Sequence, residues 1–161
     1  MENEVSKKER KEQLDDKLVM EYVGKKYPII KNKKFSVPAF FFGYLYAAYR
    51  KYYSLTFIIL LINFLSALFI KFAKLNDVTL AAISVAITIV VDLVVSFNFN
   101  KWYLKNAEKR VQKIKDDNPS LSENDLVMLC SKKGKPNIGI SIICLLAYSI
   151  FISIIRTVIG S

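Results

Sequence analysis

Few residues of this chain have the type and placement to do chemistry. The first is Asp92, the one acid inside the otherwise uncharged stretch Val78–Phe99. An ionised carboxylate near the middle of a bilayer costs at least about 2.5–3.5 kcal/mol on insertion scales, so such a group takes a partner or a role. Asp92 lies seven residues from one end of its stretch, Asn63 nine residues into Ser54–Ile70, and Tyr148 ten residues into Ile138–Ile159. These similar depths allow hydrogen bonds between helices. The trio reads either as a proton or ion site or as polar glue between helices, with Asp92 protonated or paired. The sequence holds no second intramembrane acid, no inverted repeat and no marked broken helix, which favours glue over transport.

Other reactive constellations are missing. The chain has no histidine and two cysteines, Cys130 in a polar connector and Cys144 in an apolar stretch, so no disulfide framework or metal-ligand spacing is present. There is no phosphate-binding glycine loop, no nucleophile elbow and no pair of carboxylates at reactive spacing. Asp15-Asp16 and Asp116-Asp117 are doublets near helix ends. The expectation is a non-enzyme with no catalytic residue, no metal and no cofactor. Ala82 with Ala86, and Ser84 with Thr88, give small-xxx-small spacing, and Arg156 at the far end of the last stretch is explained by snorkelling.

The elements that would position these residues follow from where charge is absent. The chain has 161 residues, 53% of them hydrophobic, and a mean hydropathy of +0.27. The apolar residues stand in blocks rather than at amphipathic spacing, and a bilayer crossing takes about 20 of them. Spans are expected over residues 54–72, 78–99 and 138–159. Lys and Arg number ten in Met1–Lys34 and nine in Asn100–Pro136, against two, Lys71 and Lys74, in the first hairpin. The positive-inside rule then puts the N-terminus and the second connector in the cytoplasm and the C-terminus outside. Met1–Asp16 has no apolar core of a signal peptide, so the first span is expected to serve as an uncleaved anchor. The fold class expected is an all-α membrane protein with three transmembrane helices, an aromatic interfacial helix and short cytoplasmic helices, multi-pass in the cell (inner) membrane.

Phe35–Tyr53 is the segment that complicates this count. It is apolar and aromatic, but crossing with the N-terminus inside would put the nine-basic connector outside. It is therefore expected to lie at the interface, with Ser36 as N-cap, Pro38 in the first turn and Gly43 allowing close packing or a bend. From Lys31 to Tyr53 there are five basic residues and no acid. Lys31, Lys33, Lys34, Arg50 and Lys51 are the expected contacts to anionic lipid, and Trp102 and Tyr103 the expected interface anchors. The net charge of +10 is assigned to lipid rather than to nucleic acid, because no nucleic-acid-binding pattern accompanies it.

Between these parts lie short soluble helices. Met1–Glu12 reads as a disordered charged tail. Leu14, Leu18 and Tyr22, with Val19 and Val23 beside them, predict an amphipathic helix ending near Gly24, followed by a basic linker, Lys25–Lys34. Leu104, Ala107, Val111 and Ile114 predict a second helix, stopped at Asn118-Pro119. Ser122 and Asp125 predict a capped third helix that runs to about Lys133 and packs through Leu126, Val127, Leu129 and Cys130. The chain divides into an arm (1–34), the interfacial helix (35–53), the first two spans (54–72 and 78–99), a connector (100–136) and the last span (138–159).

The run FSVPAFFFGYLYAAYRKYY, with its lead-in EYVGKKYPIIKNKKF and the later NKWYLKNAEKRVQKIK, resembles a family of bacterial small integral membrane proteins of uncharacterised function. That family is marked by a PAFFFG…YRKxY block; Val37 departs from the aromatic that many members carry before the proline. The resemblance spans Glu21 to about Pro136 and implies a bacterial inner-membrane protein without naming an activity. The function expected is a non-catalytic scaffold or accessory subunit that binds anionic lipid and a protein partner or a second copy of itself. The rival is a small oligomeric transporter or channel subunit built around Asp92.

Overall fold

The computed structural model describes the backbone of residues 2–72 and 77–160 and the side chains of residues 9–69 and 78–153. The hairpin residues 73–76 and the side chains of Lys71 and Arg156 lie outside the described residues. Among the described residues seven α-helices follow one another: α1 (Glu2–Val23), α2 (Tyr27–Asn32), α3 (Val37–Tyr49), α4 (Tyr53–Phe72), α5 (Asp77–Asp117), α6 (Glu123–Gly134) and α7 (Ile138–Gly160). No strand occurs among the described residues.

Two helical stretches, Val78–Asp117 and Glu123–Ser153, contain windows long and apolar enough to cross a membrane. The second takes in α6 and α7, and its uncharged residues are those that follow Lys135. This makes two such helices where three spans were expected. The described apolar part of α4, Tyr53–Phe69, has 17 residues. At 1.5 Å per residue it reaches about 26 Å, short of a hydrocarbon core of roughly 30 Å. α3, with 13 residues, is shorter still.

Two compact units divide the chain, one formed by residues 1–34 and 100–135, the other by 35–99 and 136–161. In the first, α1 packs against α6. The helix begins at Glu2, well before the expected start near Leu14. Its first half is rich in Glu and Lys, with no Gly or Pro, so it favours helix where a disordered tail was expected. Leu18, Val19, Tyr22 and Val23 are buried, as their spacing predicts. Gly24, at φ +76°, ends α1, and the supposed linker continues as a 3-10 turn and then α2, with Pro28 in its first turn.

Residues 100–117 belong to α5 without interruption, so the second span and the amphipathic helix after it form one 41-residue helix. Neither Gly nor Pro separates Phe99 from Trp102, and nothing local stops the helix. Its buried stripe is Tyr103, Ala107, Val111 and Ile114. α6 starts as predicted, with the Ser122 hydroxyl accepting the Asp125 N–H at 3.3 Å. It ends at Gly134, where an added Cβ would lie 1.9 Å from the Tyr22 carbonyl oxygen. Only a glycine lets α6 come this close to α1. Asp15 on α1 and Lys115 on α5 form an ion pair.

In the second unit α3 packs against both α4 and α7. Ser36 is the extended N-cap residue of α3 and makes no side-chain capping bond; its N–H donates to the Ser96 carbonyl at 2.9 Å. The Phe35 ring meets the edge of Phe97 at 5.0 Å, and Tyr46 lies 4.9 Å from Phe99. α3 is broken inside, at Gly43, whose φ of 40° and ψ of −115° lie outside helical space. Beyond the break, Ser141 on α7 donates to the Leu45 carbonyl at 3.1 Å.

α3 closes with a paired cap: Tyr52 N–H donates to the Ala47 carbonyl at 2.8 Å and Lys51 N–H to that of Ala48 at 2.9 Å. The cap puts Lys51 at φ +58°, the position that glycine usually fills. Lys51→Gly is therefore expected to stabilise this unit by about 1 kcal/mol, read as a higher midpoint of thermal unfolding in detergent. An unchanged or lower midpoint would show that the lysine side chain offsets the strain.

Candidate functional site

The basic residues singled out from sequence fall in both units. In the first unit α2 and its exit carry Lys31, Lys33 and Lys34, all exposed. Lys31 lies over the Tyr27 ring at 5.3 Å and pairs with Asp16 at 3.8 Å. Its hydrogen bond to Tyr27, backed by the charge of Asp16, holds the ammonium above the usual lysine value. It therefore keeps its charge throughout the physiological range.

Asn100 joins this basic segment to α5. Its side-chain amide donates to the Lys33 carbonyl at 2.7 Å, and Asn100 itself is 6% exposed. That bond holds Lys33 beside the turn of α5 that carries Lys101 and Trp102. Lys101 is exposed and Trp102 half-buried. The result is a surface of three lysines from one segment and a lysine and an indole from another. Ammonium groups and an amphipathic ring are the pair that anionic headgroups attract at a membrane surface. Lys101 and the Asn100 bond were not singled out from sequence. The charge of Lys101 was visible there, but its neighbourhood with Lys33 rests on a contact 67 residues apart in the chain.

Two expected contacts are corrected. Tyr103 is 0% exposed and belongs to the core stripe of α5, so it presents no ring to an interface. One helical residue turns the side chain by about 100°, which separates its fate from that of Trp102. Arg50 is 4% exposed. It is the residue just before Lys51 in the cap of α3, where the chain reverses and draws its side chain inward. Lys51 is half-exposed in the second unit.

Asp92, Asn63 and Tyr148 all lie in the second unit and are half-buried. Asp92 sits against the break of α3: a Cβ added to Gly43 would lie 3.2 Å from its Oδ1. Tyr148 packs its ring 5.4 Å from that of Tyr44, the residue after the break. Asn63 lies on α4, and among the described residues no hydrogen bond joins it to Asp92 or Tyr148. Gly43 is the residue expected from sequence to allow close packing or a bend, and α3 breaks there. No group of three metal-ligating side chains occurs among the described residues. Cys130, expected in the helical core of the connector, is 0% exposed; burial pushes its thiol up, while Lys133 and Lys115 act in the opposite direction.

These features define a class: a chain all-helical among the described residues, with two long apolar helices fit to cross a membrane and a basic, aromatic surface in its first unit. The chain belongs to the family described as Protein of unknown function (DUF2628), whose model matches residues 3–109. The match takes in α1 to α4 and most of α5, and leaves α6 and α7 beyond it. It starts earlier and ends sooner than the resemblance read from the aromatic block. No curated protein and no solved structure matches the chain significantly.

Proposed function

We propose that this chain is a multi-pass protein of the bacterial inner membrane, a non-catalytic scaffold or accessory subunit that binds anionic lipid and a protein partner. The observation that carries the membrane part is where its apolar surface lies. Of the most apolar window of α5 only 6% is buried, and of that in the α6–α7 stretch 0%. Val90, Val94 and Phe97 on α5, and Ile143, Leu146 and Ile150 on α7, are each more than half exposed. Phe41 and Phe42 on α3 and Phe57 on α4 add exposed rings. Soluble proteins rarely leave apolar faces of this extent in water, whereas hydrocarbon covers them at no cost.

In this reading α4 is the third span. It runs 20 residues to Phe72, and a basic residue near the end of such a helix is tolerated because long cationic side chains reach the interface. The N-terminus and the first unit lie in the cytoplasm and the C-terminus outside, as the basic residues dictate. Lys31, Lys33, Lys34 and Lys101 meet anionic headgroups, and Trp102 anchors the start of the first unit's part of α5. Lys51 is a further lipid contact. A groove between α1 and α5 in the first unit, lined by Glu9, Glu12, Asp15, Asp16 and Glu108 with Lys109 as its one basic residue, supports a partner with a basic surface.

Trp102 is the sole tryptophan of the chain, which makes the lipid claim directly measurable. In vesicles, brominated phosphatidylglycerol is expected to quench its fluorescence more than brominated phosphatidylcholine. Each lysine near an anionic surface contributes about 1 kcal/mol. Replacing Lys31, Lys33 and Lys34 together by Gln is expected to reduce that preference by up to roughly a hundredfold, and high salt to weaken it in the parent chain. Equal quenching by the two lipids in the parent chain at low salt would count against anionic-lipid binding.

A further inference from the structure

Lipid binding makes no use of the contact between Asp92 and the break in α3. That break sits five residues past Pro38, which belongs to the first turn of the helix, at a glycine whose φ of +40° other residues rarely adopt. It also sits where the carboxyl of Asp92 arrives. A Cβ at position 43 would stand 3.2 Å from Oδ1, so the glycine serves both the backbone turn and the room for the acid. Broken helices facing an intramembrane acid are a recurring construction of ion- and proton-handling membrane proteins, because irregular backbone is tolerated there only inside protein.

The surroundings decide which ligand such a carboxyl would take. The described ion pairs, Lys31 with Asp16 and Lys115 with Asp15, leave Asp92 without a cation. On α5 itself no other titratable residue occurs between Val78 and Phe99, and α4 has none between Ser54 and Phe69. α3 offers Tyr44, next to the break, then Tyr46 and Tyr49, with Arg50 and Lys51 two turns beyond it at its far end. Among its described side chains α7 offers Cys144 and Tyr148, and its one basic residue, Arg156, stands two turns beyond Tyr148 in the sequence. The hydroxyl of Ser96 donates to the Asp92 backbone carbonyl and not to its carboxyl. A divalent cation requires several charged or carbonyl oxygens, and the described residues provide no cluster of three acidic or metal-ligating side chains. A proton requires one carboxylate.

We propose that Asp92, seated against the Gly43 break of α3, is a proton-binding site inside the second unit. The carboxylate takes one proton from water and becomes a neutral carboxylic acid; releasing the proton to water restores the charge. No other bond changes. Asp92 is seven residues from the end of the uncharged stretch, about 10 Å along the helix axis. The neutral acid is the form that packs against the break, and the ionised form is the one that draws water to it. The proposal is independent of the lipid reading, since the lysines that carry that reading can be neutralised without touching Asp92.

The test is infrared spectroscopy of the full chain in lipid vesicles, with aspartate carrying a carbon-13 label at its carboxyl group. At neutral pH the spectrum is expected to show one protonated aspartate, absent from Asp92→Asn, and the band is expected to fade reversibly as pH rises into the alkaline range. The labelled parent chain reads this even if the Asn variant fails to fold. Gly43→Ala, with a methyl forced against the carboxyl, is expected to move the midpoint of that titration. Absence of a protonated aspartate at neutral pH would overturn the proposal, as would a band unchanged at every pH where the protein stays folded. A folded Gly43→Ala chain with the parent's midpoint would remove the break from the site.

Discussion

Tyr103→Ala is expected to lower the stability of the first unit by about 3–5 kcal/mol, the range for deleting a fully buried aromatic side chain. Tyr103 is among the largest completely buried side chains of the molecule and heads the stripe it forms with Ala107, Val111 and Ile114. Removing its ring leaves a cavity where α5 meets the rest of its unit, and a helix already fixed by its neighbours collapses into such a space only in part. Hydrogen exchange of residues 14–23 and 123–134 in detergent reads the effect as lost protection. The matched control is Trp102→Ala, one residue away and half-exposed, which is expected to leave exchange nearly unchanged and to alter lipid contact instead. If the two effects exchanged places, Tyr103 would be the interface anchor that its sequence position suggests.

Gly134→Ala is expected to have an effect of similar size by the opposite mechanism. The new Cβ would fall 1.9 Å from the Tyr22 carbonyl oxygen and within 2.7 Å of the Tyr22 carbonyl carbon and Cα. These are backbone atoms, which cannot swing aside as a flexible side chain can. Overpacking of a core costs about 1–3 kcal/mol even where side chains yield, and here α6 must part from α1. The expected result is cleavage by added protease within residues 9–23 at concentrations that leave the parent chain intact. Resistance equal to the parent's would mean that α1 and α6 do not meet at this glycine.

Much of this fold was legible because hydrophobic blocks and helical spacing are local. The apolar stretches became helices α4, α7 and the first part of α5, and Leu18, Tyr22, Val111 and Ile114 are buried where their spacing put them. The cap at Ser122 was readable for the same reason. What was not readable depends on contacts across the chain or on continuity between segments. Leu104 and Tyr103 are both apolar at neighbouring positions, and the choice between them is set by what packs on α5, not by the residues themselves. Arg50 looks like a surface charge until the cap at Lys51 turns the chain. Helix α5 was divided at the membrane exit because charge begins there, but a helix is ended by breakers and caps, and none stands at that point.

For the candidate site the division is similar. Lys31, Lys33, Lys34 and Trp102 were visible as types; their arrangement depends on the Asn100 to Lys33 bond. Asp92 was visible as an anomaly, whereas its seat against Gly43 follows from a backbone angle that no spacing rule reveals. The trio of Asp92, Asn63 and Tyr148 rested on depth alone. Depth is shared by many residues of a bundle, and the contacts formed are instead the Asp92 carboxyl with the backbone at Gly43 and the Tyr148 ring with that of Tyr44.

The central claim is a chain that crosses the membrane three times with its first unit in the cytoplasm, and side-specific cysteine labelling tests it most directly. In a chain with Cys130 and Cys144 replaced by Ala, single cysteines are placed at Asn76, Ser120 and Ser161 and treated in intact cells with a thiol reagent that cannot cross the membrane. Asn76→Cys and Ser161→Cys are expected to be labelled from outside, and Ser120→Cys only after the membrane is opened. Labelling of Ser120→Cys in intact cells, or protection of Asn76→Cys or Ser161→Cys until the membrane is opened, would contradict the arrangement.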